Sequence, residues 1–307
     1  MAIKSLENIG NLCGELWKLK KYAPEITSAF RYFDQDKNPK ESLEKIINTA
    51  RKNPVLDDLF KVSKTYDMTL RSEKRAKERG GWGYACREAL KEIGVNYEVR
   101  GAKNIPANGG GLLISNHPYG LLDSILLVAG LYPLINKEGR QLKIIVMNQL
   151  RFIEGLEKIA IFVHSTVKGP NTGSLRKALR YLDEGGGNLA IYPSGRMSKT
   201  GLEEYPWKKS LKTFVSHSKY VVPMWFSGPD HANIYNFLAK FKITEKLRRV
   251  FSLREVWDNA GQTVVLNIGK PISCEELISP EELKEKRNNG EIVQHLREKA
   301  EALKVAV

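Results

Sequence analysis

The stretch Gly109–Leu131, GGGLLISNHPYGLLDSILLVAGL, decides the fold. Its first part reads as a strand leaving a glycine-rich turn, and its last part, from Leu121, as a helix. Between them Pro118 disfavours the α region for His117, and Gly120 permits a backbone angle other residues avoid. A strand therefore ends, bends sharply and becomes a helix, the unit from which α/β domains are built. His117 falls at the strand's carboxyl end and Asp123 just inside the helix. The bend frees Asp123 to fold back toward the imidazole, which a continuous helix would not. Two readings are open at this point. One is a catalytic pair, the carboxylate fixing the tautomer and stabilising the imidazolium formed on proton abstraction. The other is an ordinary connection, with His117 satisfied in the loop and Asp123 capping the helix.

Outward from this stretch the same grammar repeats. Val95, Tyr97 and Val99 alternate as a strand would, and short apolar runs follow: KIIVM, KIAIFV, NLAIYP, YVVPMWF and TVVLNIG. The segment SLRKALRYLDEG at 174–185 reads as a helix between two of them. The fold class is α/β, with a mixed, partly parallel sheet flanked by helices, and function is expected at the carboxyl ends of its strands. Residues 1–80 read as an N-terminal helical region, with Leu6, Ile9, Leu12, Leu16 and Leu19 at helical spacing. Asn38-Pro39 and Asn53-Pro54 each offer an N-cap followed by Pro at the first helical position. The divisions expected are 1–80, an α/β domain over 81–275, and a C-terminal helical extension over 276–307.

The 307 residues are 42% hydrophobic, enough for a substantial core, and carry a formal charge of +14. That excess attracts polyanions: nucleic acid, anionic lipid headgroups, an acidic carrier protein or a phosphorylated cofactor. Basic clusters occur at Lys18, Lys20 and Lys21, at Arg71 to Arg79 and at Lys246 to Arg249, with no zinc-ligand spacing or RNA-binding signature. Cys13, Cys86 and Cys274 are widely separated and odd in number, which fits a reducing compartment. The N-terminus lacks a signal peptide's apolar core. The most hydrophobic window, Leu121 to Ile135, is interrupted by Asp123, Gly130 and Pro133 and is too short to span a bilayer. A cytoplasmic protein, peripheral at an anionic membrane surface, is expected. The helix carrying Trp17 and its neighbouring lysines would either lie on that surface or pack on the α/β domain.

A second polar loop follows NLAIYP: Ser194-Gly195-Arg196-Met197-Ser198-Lys199. A glycine, two hydroxyls and two cations at a strand end form a phosphate cradle in outline. His164 ends another strand and reads as a pocket-wall or structural residue, with a second catalytic base as the alternative. His217 and His231 have no ligand-spaced partners, so no metal site is expected, and Cys86 reads as a buried small hydrophobe.

Taken in order, NHPYGLLD, KIAIFVHS, IYPSGRMS and VVPMWFSG resemble the four-block pattern of the glycerolipid (PlsC-like, 1-acylglycerol-3-phosphate) acyltransferases. The resemblance covers residues 95 to 273. Family members commonly separate Asn-His from Asp by four residues; here five intervene, as His-Pro-x-Gly-x-x-Asp. That longer form is similar to the hemolysin-like or ornithine-lipid acyltransferase-like branch. Ser194 stands where the third block commonly has Glu, and Arg196 one position before the usual arginine. His164-Ser165 replaces the common Asp-Arg of the second block, with Lys168 nearby as a substitute cation.

The resemblance implies a glycerol-3-phosphate acyltransferase-like fold and an enzyme that moves a fatty acyl group from acyl-CoA or acyl carrier protein. The acceptor would be a hydroxyl or amine of a lipid-type molecule. His117 would be the general base and Asp123 its orienting carboxylate, with no bound cofactor, no metal and no covalent acyl-enzyme. Asn116, Gly120, Ser194, Gly195, Arg196, Ser198, Lys199 and Lys168 would bind substrate, with a backbone donor near Gly195 for the oxyanion. The alternative is a non-catalytic lipid- or carrier-binding module on the same scaffold. A nucleic-acid-binding protein is a third class that rests on charge alone.

Overall fold

A computed structural model describes residues 39–106, 109–136, 141–164, 171–198, 205–228, 253–277 and 289–307. Its strands are β1 (Asn96–Arg100), β2 (Gly111–Ile114), β3 (Gln141–Met147), β4 (Ala160–Val163), β5 (Gly187–Ile191), β6 (Tyr220–Ser227), β7 (Thr263–Ile268) and β8 (Ile272–Ser273). Seven follow the order β1-β7-β6-β2-β5-β3-β4, and β8 pairs with β6. Every apolar run expected to be a strand is one. The β2, β3, β4, β5 and β6 ladders are parallel. At β7 the direction reverses: β7 runs antiparallel to β6 and β1 parallel to β7. The sheet is therefore mixed, and the carboxyl ends of five strands open on one edge.

The inner strands have no polar face because helices cover both sides of the sheet. On one side Leu113, Ala190, Val222 and Leu266 join the core formed with the helices Val62–Glu78, Gly81–Ile93 and Leu121–Ile135. On the other side Leu112, Ile114, Leu189 and Val221 meet Thr172–Asp183, Leu211–Ser216 and Asn289–Glu301. Alternate residues of β2 thus face opposite cores, and Leu112, Leu113 and Ile114 are all fully buried.

The two Asn-Pro dipeptides precede helices as expected. One starts at Pro39 and one at Pro54, and they bury Ile46, Ile47, Ala50, Leu59 and Phe60. Gly80 and Gly81, both at positive φ, turn the chain between Val62–Glu78 and Gly81–Ile93. Both helices belong to the same core, since Met68 and Trp82 share one cluster. Trp82 also donates its indole N–H to the Gly155 carbonyl at 2.9 Å. The amphipathic segment Leu6–Leu19 and the cations Lys18, Lys20, Lys21 and Lys246 to Arg249 lie outside the described residues. Among the described residues no helix is long and apolar enough to cross a membrane.

Candidate active site

β2 lies between β5 and β6, with Ile114 in register with Ile191 on one side and Pro223 on the other. Whatever follows Ile114 must therefore meet whatever follows Ile191 at the same sheet edge. After Ser115 the backbone turns away, and Asn116 replaces the ladder with its side chain. Its amide NH2 donates to the Phe226 carbonyl at 3.0 Å, and its amide oxygen accepts the Phe226 N–H at 2.7 Å. An asparagine side chain carries the donor and the acceptor of a peptide group, so it continues the β2–β6 pairing where the main chain has left it. Asn116 is 1% exposed. At this position, expected among the substrate contacts, the side chain forms a strut between β2 and β6.

The turn that follows has type II′ geometry. Gly120 has φ 62° and ψ −119°, and the Leu122 N–H reaches back to the Tyr119 carbonyl at 3.3 Å. A β-carbon on Gly120 would stand 2.2 Å from the Met197 sulfur, so the turn also needs the absence of a side chain. Gly120, expected among the binding residues, sets the bend. That bend returns Asp123 to the imidazole: His117 Nδ1 lies 2.8 Å from Asp123 Oδ2. The same oxygen accepts the Tyr119 N–H at 2.9 Å. Asp123 is fully buried in the first turn of the helix, while the His117 side chain keeps 19% of its surface exposed. With Nδ1–H turned to the carboxylate, the lone pair belongs to Nε2, as a general base requires.

The second loop closes over the first. Tyr192 lies flat against His117, ring centroids 4.0 Å apart and planes within 10°. Burial holds the Tyr192 phenol well above its usual range, and the neighbouring Asp123 charge adds to this; the Ser124 side chain, also beside the hydroxyl, opposes it. The phenol is therefore neutral. Pro193 and Ser194 form the corner of a turn closed by the Gly195 N–H on the Tyr192 carbonyl at 2.8 Å. The Ser198 N–H donates to the His117 carbonyl at 2.8 Å and joins the two loops directly.

These bonds revise the remaining expectations. Ser194 is 3% exposed and gives its hydroxyl to the Arg196 carbonyl, and Ser198 is 2% exposed. Both face inward in this structure. The Gly195 N–H closes its own turn on the Tyr192 carbonyl. Gly195 itself is exposed at φ 61°, with the Lys208 side chain packed beside it. Arg196 is exposed, its guanidinium 5.5 Å from the Tyr205 ring centroid. Lys199 and Lys168 lie outside the described residues. Lys208 was not anticipated. Its signal was the Lys208-Lys209 pair directly after Trp207, whose burial anchors the cations near the loop.

Elsewhere His164 has its backbone bracketed by Asn171, which accepts the His164 N–H at 2.7 Å and donates to its carbonyl at 3.0 Å. His217 pairs with Asp183, 2.8 Å away, and His231 lies outside the described residues. Burial pushes the Cys86 and Cys274 thiols up to about 12. Among the described residues no three His, Cys, Asp or Glu side chains are grouped to hold a metal.

A protein-family model described as an acyltransferase matches residues 69–306. A lyso-glycine lipid O-acyltransferase from Phocaeicola vulgatus is 28% identical over 195 residues, 61% of this chain and 67% of that protein. A protein of the same name from Bacteroides thetaiotaomicron is 26% identical over 195 residues, 61% of this chain and 69% of the relative. Among solved structures, the 1-acyl-sn-glycerophosphate (LPA) acyltransferase PlsC from Thermotoga maritima aligns over 97% of each chain. Its TM-score is 0.45 and its identity 16%.

Proposed function

Since the chain belongs to this acyltransferase family, we propose that it moves a fatty acyl group from a thioester donor to a lyso-form lipid. The donor is acyl-CoA or acyl carrier protein. The acceptor group is a hydroxyl, in keeping with the two similar lyso-glycine lipid O-acyltransferases. An amine remains the second arm of the test. The observation that carries this reading is the buried Asp123 carboxylate 2.8 Å from His117 Nδ1 at the open edge of the sheet.

In this mechanism Nε2 of His117 removes the acceptor O–H proton as the oxygen attacks the thioester carbonyl. The imidazolium that forms is compensated by Asp123, whose carboxylate is already held by the Tyr119 N–H. Collapse of the tetrahedral intermediate breaks the C–S bond, and the imidazolium returns its proton to the departing thiolate. The products are the acylated lipid and the free thiol. Because the acceptor oxygen attacks the thioester directly, this route asks for no covalent acyl-enzyme; among the described residues, Cys86 and Cys274 are buried thiols.

Arg196 and Lys208, exposed at the loop after β5 that is bonded to His117, supply positive charge there and suit a phosphate of the donor's carrier arm or an anionic acceptor headgroup. Ser194, in place of the glutamate common in this block, adds no negative charge there. This suits an acceptor other than a glycerol phosphate. The net charge of +14 favours peripheral attachment to an anionic membrane, where such acceptors reside. The test is incubation with labelled acyl-CoA and acyl carrier protein against lysolipids, amino-acid-linked lysolipids, alcohols and amines, read by product mass. An O-acylated lysolipid is the expected product. Donor binding with no product from any acceptor would favour the non-catalytic binding module.

A further inference from the structure

The Tyr192 ring covers one face of the His117 imidazole at 4.0 Å, nearly parallel, while Asp123 holds the ring edge through Nδ1. The hydrogen bond fixes one nitrogen but leaves the imidazole able to rock about that contact. A flat aromatic face restricts the rocking. The Tyr192 backbone is held, because its carbonyl closes the next turn, and its hydroxyl is buried beside Ser124 and Asp123. The contact also discriminates between charge states. An aromatic face is electron-rich, so it attracts an imidazolium more strongly than a neutral imidazole. The stack therefore strengthens as His117 gains its proton, when charge develops in the reaction.

We propose that Tyr192 is a positioning residue for acyl transfer, its ring face orienting His117 and stabilising the imidazolium as it forms. This rests on His117 being the general base. Several groups bear on the imidazole. Asp123 faces it from the helix and Tyr192 from the loop after β5, and that loop also carries the cations Arg196, beside Tyr205, and Lys208, beside Gly195.

The test grades the ring's electrons without changing its size. Phenylalanine and then mono-, tri- and pentafluorophenylalanine are placed at position 192 of the full chain, with Tyr192→Leu as the end point. Phenylalanine should keep activity within about threefold, because the face is retained. Fluorination should move the acidic limb of kcat/KM stepwise to lower pH, since a less stabilised imidazolium loses its proton more readily. Tyr192→Leu should lower plateau kcat by roughly 2- to 30-fold with KM little changed. The same series, read by NMR titration of the His117 ring protons, needs no turnover and holds even if the leucine variant is unstable.

An acidic limb and a ring titration that stay fixed across the series would overturn the proposal. So would a phenylalanine variant as impaired as the leucine one. His117→Ala separates the two claims. If it retains transfer, the base assignment fails. If it is inactive while the Tyr192 series leaves the limb unmoved, only the role of Tyr192 fails.

Discussion

The Ser198 N–H donates to the His117 carbonyl at 2.8 Å, so the loop after β5 is bonded to the residue that ends the β2 turn. This bond, the Tyr192 stack and the Met197 contact with Gly120 make one unit of two loops far apart in sequence. Rigid support of this kind keeps a catalytic group within the narrow geometry a reaction needs.

The Asp123 carboxylate has a role its amide cannot fill. Asp123→Asn preserves size and burial but replaces the anion facing Nδ1, so kcat should fall about 10²- to 10⁴-fold with KM little changed. Steady-state kinetics together with thermal melting will check this. A loss confined to KM, or activity near wild type, would contradict it.

Gly120→Ala forces a side chain into a turn at φ 62° and ψ −119° and onto the Met197 sulfur. A loss of about 2 kcal/mol or more is expected from denaturant unfolding, with activity falling alongside. Met197→Ala added to it should relieve the collision but not the backbone strain, so recovery should be partial.

Removing the Asn116 amide strands a buried N–H and a buried carbonyl of Phe226. Asn116→Ala should therefore cost about 2–6 kcal/mol in unfolding free energy, at about 1–3 kcal/mol for each unpaired group. A cost below about 0.5 kcal/mol would show that the strut is dispensable.

Arg196→Met and Lys208→Met remove the exposed cations at the loop after β5 without removing their aliphatic stems. Each should raise KM for the anionic substrate about tenfold and change kcat less than about threefold. Which substrate's KM responds will tell whether these cations hold the donor or the acceptor.

Burial disfavours the thiolate and pushes Cys86 and Cys274 up to about 12. Both thiols are thus protonated at neutral pH and weakly nucleophilic. Peptide mapping after maleimide treatment at pH 8 should find both unmodified in the native protein and modified after denaturation.

Much of this fold was legible in the sequence because the inner strands are buried on both faces and read as unbroken apolar runs, LLI and YVVPMWF among them. The reversal at β7 was not, since apolar patterning says nothing about strand direction. At the site, Pro118 and Gly120 encode a bend that allows the His117–Asp123 contact, but the local residues fitted an ordinary capped turn equally. The inward roles of Asn116, Ser194 and Ser198 did not. Polar residues in a loop look alike in sequence whether they serve a ligand or satisfy buried backbone groups. Tyr192 belonged to a recognised block, but only tertiary packing of β5 beside β2 puts its ring on His117.

The most direct test of the central claim compares wild type and His117→Ala with a labelled acyl donor and the acceptor found by product screening. Donor binding and acyl transfer are measured on the same samples. Donor affinity within about threefold of wild type and transfer reduced by about 10²- to 10⁴-fold are expected. Transfer at the wild-type rate by the alanine variant would contradict the claim.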